Sequence, residues 1–221
     1  TTVDPRYAAI PFEKRLVLAA EARRAAKETN VLLQANLDTI TGNAPAAIAN
    51  TGTYDGGPMP AAADFVKAYG ANDGIAKFEA FKSSVDTARI IFDMRTMTNE
   101  SIIAQVEAAS PRSSGNGAAL ESKRFDMVAA AAQETLKARA ADPAGYTMQV
   151  FPNVAQAYEA AQESGASPWV MQSALSAMQV AQEKLGIDEP RLLTKNQATG
   201  AVNTWKDETL GASERLSGLA G

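Results

Sequence analysis

The apolar residues of this chain recur at three- and four-residue spacing, which is the period of a helix that buries one face. The longest such pattern covers residues 12–40. One stripe of this helix follows a roughly heptad series of Ala19, Ala22, Ala26, Leu33 and Ile40. Small residues on such a stripe let a neighbouring helix approach closely. At ~1.5 Å per residue the helix would be ~45 Å long, more than one compact core covers, so we expect an elongated molecule or a partner along part of it.

A second stripe lies on a helix predicted over residues 72–95, with Asn72 as its cap. The stripe consists of Phe78, Phe81, Val85, Ala88 and Phe92. Because their spacing places them on one helical face, we expect the three phenylalanines to share one core. Each should contribute ~1.5–3 kcal/mol when buried.

Capping signals mark several helix ends. The pairs 142–143 and 167–168 are Asp-Pro and Ser-Pro, where the side-chain oxygen can accept a backbone N–H and proline has none to leave unpaired. Thr194 and Gln197 have the spacing of a capping box. Pro152 predicts that one helix ends at residue 151 and that Asn153 caps the next. Glycines can then stop the helices at positions 165 and 186.

These patterns together predict an all-α fold, an elongated bundle of about eight or nine helices with no sheet. The expected helices cover 12–40, 64–69, 72–95, 98–110, a segment ending at 141, 143–151, 153–165, 168–186 and a helix opened at 194. Residues 211–221 are interpreted as a frayed last helix or the cut end of a longer one. Residues 41–60 are rich in Gly, Pro, Asn and Thr and predict a loop. The segment PRSSGNG at 111–117 predicts a flexible connector.

The domain prediction is one all-helical unit over 1–221, with a weak internal boundary near 110–118. Because the chain opens on Thr1 rather than methionine, we expect it to be a fragment of a longer chain. No apolar run approaches the ~20 residues of a membrane helix, so we expect no integral membrane segment.

Composition narrows the chemistry. The net charge of −4 and a pI near 5.0 argue against a nucleic-acid surface, which needs clustered basic residues. A basic group near the start is interleaved with glutamates, which is typical of a solvated helix face; it comprises Lys14, Arg15, Arg23, Arg24 and Lys27. The chain has no cysteine and no histidine, which excludes thiol chemistry, a Ser-His-Asp triad and most zinc sites.

The remaining candidate sites are weak. Glu163-Ser164 resembles the Glu-Ser pair of soluble lytic transglycosylases, but the glycine-rich half of that motif is absent and Pro168-Trp169 stand there instead. The glycine and serine residues of 113–117 lack the lysine and the preceding strand of a phosphate loop. Trp169 and Trp205 are interpreted as helix-packing residues rather than a ligand cage. No metal-ligand spacing appears among the carboxylates Asp55, Asp64, Asp73, Asp207 and Glu208. We therefore predict no catalytic, cofactor-binding or metal-binding residue.

Three segments resemble the large internal virion proteins of tailed bacteriophages and prophages. They are DPRYAAIP at 4–11 before a charged helix, FVKAYG at 65–70 with Gly74 and Phe78 following, and DPAGY at 142–146 continuing through Phe151-Pro152 to Gln182, 185–187 and 191–193. Members of that family travel in the virion or tail, are thought to help genome delivery across the envelope, and often carry a lytic transglycosylase domain. The resemblance implies a helical part outside that domain.

The resemblance leads to one hypothesis, and the residues leave two others open. The first is a non-catalytic structural module of a phage virion protein, whose partners are other virion or tail proteins, with self-association possible. It would be located in the virion, and in the host cytoplasm before assembly. The alternative is a bacterial helical interaction or adaptor domain. A stand-alone peptidoglycan-cleaving enzyme is a third hypothesis, which the incomplete motif disfavours.

Overall fold

A computed structural model describes residues 10–112, 117–163 and 167–214. Within these ranges the chain forms nine α-helices of eight or more residues, residues 212–214 are also helical, and no strand occurs, which confirms the all-α prediction. The helices are α1 (Phe12–Thr51), α2 (Ala62–Tyr69), α3 (Ala71–Asp93), α4 (Asn99–Ala108), α5 (Ala118–Ala141), α6 (Pro143–Val150), α7 (Pro152–Gln162), α8 (Pro168–Lys184) and α9 (Lys195–Lys206).

The chain divides into two compact units, residues 1–89 and 90–221, and the division falls inside α3. The sequence placed a weak boundary near 110–118 instead. That segment lies within the second unit, because α4 and α5 on its two sides share one core through Ile102 and Val128. Residues 113–116 of the predicted connector lie outside the described ranges.

The core of the first unit is built by α1, α2 and α3. Its buried residues are Leu37, Ile40, Ala44, Ile48, Phe65, Ala68, Phe81, Val85 and Ala88. The ring of Phe65 lies 5.7 Å from that of Phe78 and 5.9 Å from that of Phe81, centroid to centroid. Gly74 lets the first turn of α3 approach α2, since a Cβ there would lie 2.6 Å from the Phe65 carbonyl oxygen. Aromatic packing and one close backbone approach thus set this core.

The prediction that α1 ends at Ile40 is wrong. The helix continues to Thr51 through Pro45, and Gly52 ends it in a left-handed conformation, φ 80°, with its N–H donating to the Ile48 carbonyl at 2.8 Å. An interior proline costs a helix ~3 kcal/mol, but Ile40 and Ile48 are buried on either side of it. Burial of that face stabilises the helix by ~1.5–3 kcal/mol for each large aliphatic side chain, which offsets the cost of the proline.

The three predicted phenylalanines do not share one core. Phe81 is buried, and Phe78 packs against the same cluster. Phe92 is half-buried outside it, with the Arg95 guanidinium 5.3 Å from its ring centroid. The stripe on α3 is continuous, but the residues it meets change where the first unit ends.

The second unit contains two clusters of mostly small apolar residues. One joins the end of α3 to α4 and α5 through Met94, Ile102, Ala109, Val128 and Ala132. The other joins α6, α7 and α8 through Ala144, Val154, Tyr158, Ala161, Ala174, Met178 and Ala181. Alanine at so many contacts implies close approach of the helices, as the low aromatic content predicts.

Most capping predictions are confirmed. Asp142 accepts the Gly145 N–H at 3.0 Å, Ser167 accepts the Val170 N–H at 3.4 Å, and Thr194 forms its capping box with Gln197. Gly186 follows α8 with φ 69°.

Two capping predictions are wrong, and a third concerns a residue outside the described ranges. Asn153 lies inside α7, because Pro152 already occupies the first helical position and Phe151 precedes it as the cap. Asn72 lies inside α3, which begins at Ala71 directly after Gly70. Gly165 lies outside the described residues.

Candidate protein-interaction surface

The N-terminal segment of α1, defined here as residues 12–32, contains no buried residue. Buried positions in this helix begin at Leu37. Six large apolar side chains of the segment are about half or more exposed: Phe12 66%, Leu16 56%, Val17 58%, Leu18 49%, Val31 55% and Leu32 72%. Four of these lie at 12–18 and two at 31–32, on either side of a polar and alanine-rich stretch, and large apolar side chains exposed in this way commonly mark a binding site.

The exposed and buried parts of α1 belong to one stripe. Counting back from the buried residues Leu37 and Ile40 in steps of three and four gives positions 33, 30, 26, 23, 19, 16 and 12. The predicted seam is therefore packed at Leu33 and Ile40, whereas its alanines at 19, 22 and 26 are exposed. A face suited to close helix packing continues for about five turns before any neighbour in the described chain covers it.

Most charged residues of the segment lie around this stripe, although Arg23 lies within it, and all except Arg15 are exposed. Arg24 forms a salt bridge to Glu28 at 3.1 Å, with both side chains largely in solvent. The Arg15 guanidinium lies 5.9 Å from the Phe12 ring centroid. Solvated basic and acidic residues beside an apolar stripe form the edge of a helix–helix interface rather than an anion site.

The second unit holds a buried charge that the sequence interpretation missed. Arg139 of α5 is 2% exposed. Its Nη1 donates to Asn99 Oδ1 at 2.9 Å and to the Leu185 carbonyl at 3.0 Å, while Nη2 donates to the carbonyls of Met94 and Arg95 at 2.9 and 3.2 Å. In the part of the chain that the structure describes, no carboxylate contacts it. We call these five residues the Arg139 network.

The acceptors of the Arg139 network explain how it is stabilised. The carbonyls of Met94 and Leu185 lie at the C-terminal ends of α3 and α8, where unpaired carbonyls carry partial negative charge. The guanidinium carbon also lies 5.1 Å from the Tyr146 ring centroid. The guanidinium is thus enclosed by main-chain oxygens, so its role is to join helices. Position 139 continues the apolar stripe of Val128, Ala132 and Leu136, and that spacing was the available signal of its burial.

Two further polar side chains fix the connection from α8 to α9. The buried amide of Gln182 both accepts the Arg191 N–H at 2.8 Å and donates to the Arg191 carbonyl at 2.7 Å. Asp142 Oδ1 accepts the N–H of Lys195 at 3.1 Å as well as that of Gly145. A cavity of about 350 Å³ adjoins Asp142 and Lys195. The Asp142 carboxylate accepts backbone N–H groups at the starts of α6 and α9. The arrangement is structural.

The candidate catalytic glutamate lies on the surface. Glu163 follows the last residue of α7 in an extended conformation, and it is exposed. An acid catalyst requires a partly desolvated carboxyl, which this position does not provide. The following residues 164–166 lie outside the described ranges.

The other candidates are also placed by the structure. No cluster of three or more acidic residues suited to a metal occurs among the described residues. The candidate phosphate loop at 113–117 falls outside them except for Gly117. The packing interpretation of the tryptophans is wrong: Trp169 is 74% exposed and Trp205 is 52% exposed. Each lies near a helix end, where its ring is not packed into a core.

Within the described ranges, no helix combines the length and apolar character needed to cross a membrane. Comparison of the chain with models of protein families, with curated proteins and with solved structures gave no match.

Proposed function

We propose that this chain is a non-catalytic structural module of a phage or prophage virion protein, which packs against other virion or tail proteins and takes part in genome delivery through the host envelope. The observation that carries the proposal is the exposed apolar N-terminal segment of α1. A helix with uncovered apolar side chains gains stability when another protein covers them.

The resemblance to internal virion proteins supplies the biological context, and several residues that carry it have structural roles in this fold. Asp142 and Gly145 form the start of α6, Gln182 holds the segment before α9, and Gly74 allows the contact between α2 and α3. Matching residues at positions that define a fold support a shared helical architecture more strongly than matches on a variable surface would. On this proposal the chain is located in the virion, after synthesis in the host cytoplasm.

Mass spectrometry of purified particles tests the assignment directly. Particles from the source phage or induced prophage are banded on a density gradient and treated with protease before lysis, so that adhering host protein is removed. We expect peptides of this chain to remain, while an abundant host cytosolic protein is lost. If its peptides occur only in the host cytosol and never in particles, the virion assignment is wrong and the bacterial adaptor hypothesis replaces it.

A further inference from the structure

The stripe on the N-terminal segment of α1 combines large and small side chains, with the two largest apolar ones at its N-terminal end. Its positions are Phe12, Leu16, Ala19, Arg23, Ala26 and Asn30. When two copies of the segment run antiparallel about their common centre, Phe12 of each faces Asn30 of the other. Leu16 then faces Ala26, and Ala19 faces Arg23. Each large side chain meets a smaller one, which is how closely packed helices fill the space between them.

The charges on one flank of the stripe complement each other in the same alignment. Glu13 lies one position after Phe12, and Lys27 lies one position after Ala26. In an antiparallel pair these flanking positions meet across the interface, so Glu13 of each copy faces Lys27 of the other. The twofold symmetry forms this pair twice. Both side chains are exposed in the single chain.

Other alignments are less favourable. A parallel pair would place Arg23 against Arg23 of the second copy and would leave Glu13 and Lys27 far apart. An antiparallel pair shifted by one heptad toward the C-terminus would need Leu37, which is 1% exposed because the first unit already packs it. A shift in the opposite direction places Glu13 opposite Ala20. Of these alignments, only the first pairs opposite charges without requiring a fully buried residue, although Asn30 at its edge is half-buried.

We infer that residues 12–30 of α1 form an antiparallel helix pair with the same residues of a second copy of this chain. The inference rests on the proposed use of α1 for protein binding and does not depend on the virion assignment. The overlap is ~28 Å long. Arg23 extends its aliphatic stem over Ala19 of the other copy and its guanidinium toward solvent. Because the contact is a single short helix pair, it falls at the weak end of specific interfaces.

Sedimentation velocity of the whole chain, from about 1 to about 200 µM, measures the pairing. We expect a monomer–dimer equilibrium. Glu13→Lys and Lys27→Glu should each weaken dimerisation about three- to tenfold, because each replaces two opposite-charge pairs with two like-charge pairs. The double variant should restore it. The matched control is Lys14→Glu, which makes the same charge change on the opposite face and should leave dimerisation unchanged. Circular dichroism confirms that each variant is helical.

Disulfide cross-linking tests the direction, and the chain has no native cysteine to interfere. In the proposed pair the double variant Leu16→Cys/Ala26→Cys should oxidise to a covalent dimer. Leu16→Cys alone should not, because the two copies of residue 16 are ~15 Å apart along the axis and a disulfide needs a much shorter separation. A covalent dimer from the single variant would show a parallel pair and overturn the inference.

A chain that stays monomeric at about 200 µM and gives no cross-link would also overturn the self-pairing. The virion assignment is measured separately on particles, so the two failures are distinguishable. A monomeric chain whose peptides are nevertheless found inside particles would retain the proposed function with a different partner for α1.

Discussion

Arg139 is a buried charge that no carboxylate of the described residues contacts. Removing a guanidinium from water is costly, and a carboxylate is the usual compensation. Here four oxygen acceptors replace it, three of them main-chain carbonyls. Helix C-terminal carbonyls need donors in any case, so one side chain satisfies both requirements.

Replacing Arg139 by methionine should therefore be severe. Methionine preserves the bulk of the side chain but removes the donors to the Met94 and Arg95 carbonyls and to Asn99, and it leaves the Leu185 carbonyl with only the Asn99 N–H. We expect a loss of ~3–5 kcal/mol in the free energy of unfolding, measured by urea denaturation. The exposed Arg124 of the same helix gives the control, and Arg124→Met should change stability by less than ~0.5 kcal/mol. Similar effects of the two substitutions would show that the Arg139 network does not contribute to the free energy of unfolding.

The phenol of Tyr69 gives a prediction about pH. Burial, and then its 2.7 Å hydrogen bond to Asp38 and the charge of that carboxylate, raise the pKa of Tyr69 from 10.0 to about 12. The fold thus favours the neutral phenol. Its contribution to stability is complete below pH 10 and is lost as the pH rises through about 12. In a difference absorbance titration against Tyr69→Phe, we expect one phenol with a midpoint of about 12.

The matched variant for this titration is Asp38→Asn. It removes the carboxylate charge but keeps a hydrogen-bond acceptor, so the midpoint should move down toward the ordinary value of tyrosine without reaching it, because burial remains. An unchanged midpoint in this variant would mean that Asp38 has no influence on the phenol.

Glu163 gives a prediction about activity. Because its side chain is exposed at the end of α7, we expect the purified chain to release no muropeptides from peptidoglycan, and Glu163→Gln to behave as the wild type. Chromatography of the soluble products measures this, with a known lytic transglycosylase as the positive control. Release that the substitution abolishes would establish an enzyme.

Contacts of single residues could be predicted where both partners are close together in the sequence. Asp142, Ser167 and Thr194 each accept the backbone N–H three residues further on, so both partners of the contact lie within one short stretch of sequence. Asp142 also accepts the N–H of Lys195, and Arg139 binds carbonyls about 45 residues distant. Those partners depend on how helices are placed, which no local pattern specifies.

At the scale of elements, α1 and α3 show where tertiary contacts override local preference. Gly and Pro in 41–60 predicted a loop, yet the helix reaches Thr51 because its last turns are buried. The stripe on α3 predicted a face correctly, but it could not say that Phe92 lies beyond the cluster that buries Phe81. Periodicity predicts which face of a helix is buried, but it does not predict which element packs against that face.

Two phenylalanine-to-alanine changes separate buried from exposed stripes. Phe81→Ala should lower the free energy of unfolding by ~3–5 kcal/mol, since it removes a ring that packs on Phe65. Phe12→Ala removes the same atoms from a side chain that is 66% exposed and should cost less than ~0.5 kcal/mol. Urea melts at about 1 µM protein keep association from contributing to either value. An unchanged midpoint for Phe81→Ala would mean that its stripe is not a core.

At the scale of the whole molecule, the two units differ in how they are built. The first relies on aromatic contacts within and between α2 and α3, packed against aliphatic residues of α1, and the second on alanine contacts and polar networks. The sequence predicted a helical protein with an alanine-rich interior. It did not locate the division inside α3, because a continuous helix shows no break in its own pattern.

Hydrogen exchange should show a gradient along α1 in a dilute sample. Amides of residues 16–29 belong to helix that nothing in the described chain covers, whereas those of 37–48 carry the buried face. An unsupported helix of this length is only marginally stable in water, so we expect the first group to exchange through local opening and the second near the global rate. Mass spectrometry of peptic peptides resolves the two. Equal protection in both would contradict the assignment of an uncovered segment.

The Arg139 network has a consequence for how this sequence can diverge. At the alanine contacts, several small residues can replace one another with little cost, so pairwise identity should fall quickly among descendants of this chain. Arg139 has no such substitute, because lysine cannot present donors in the planar fork by which the two Nη atoms reach four oxygens. We therefore expect Asn99 and Arg139 to be retained together in relatives whose surrounding residues have diverged. Their joint presence, about 40 residues apart, would identify a distant relative better than overall similarity.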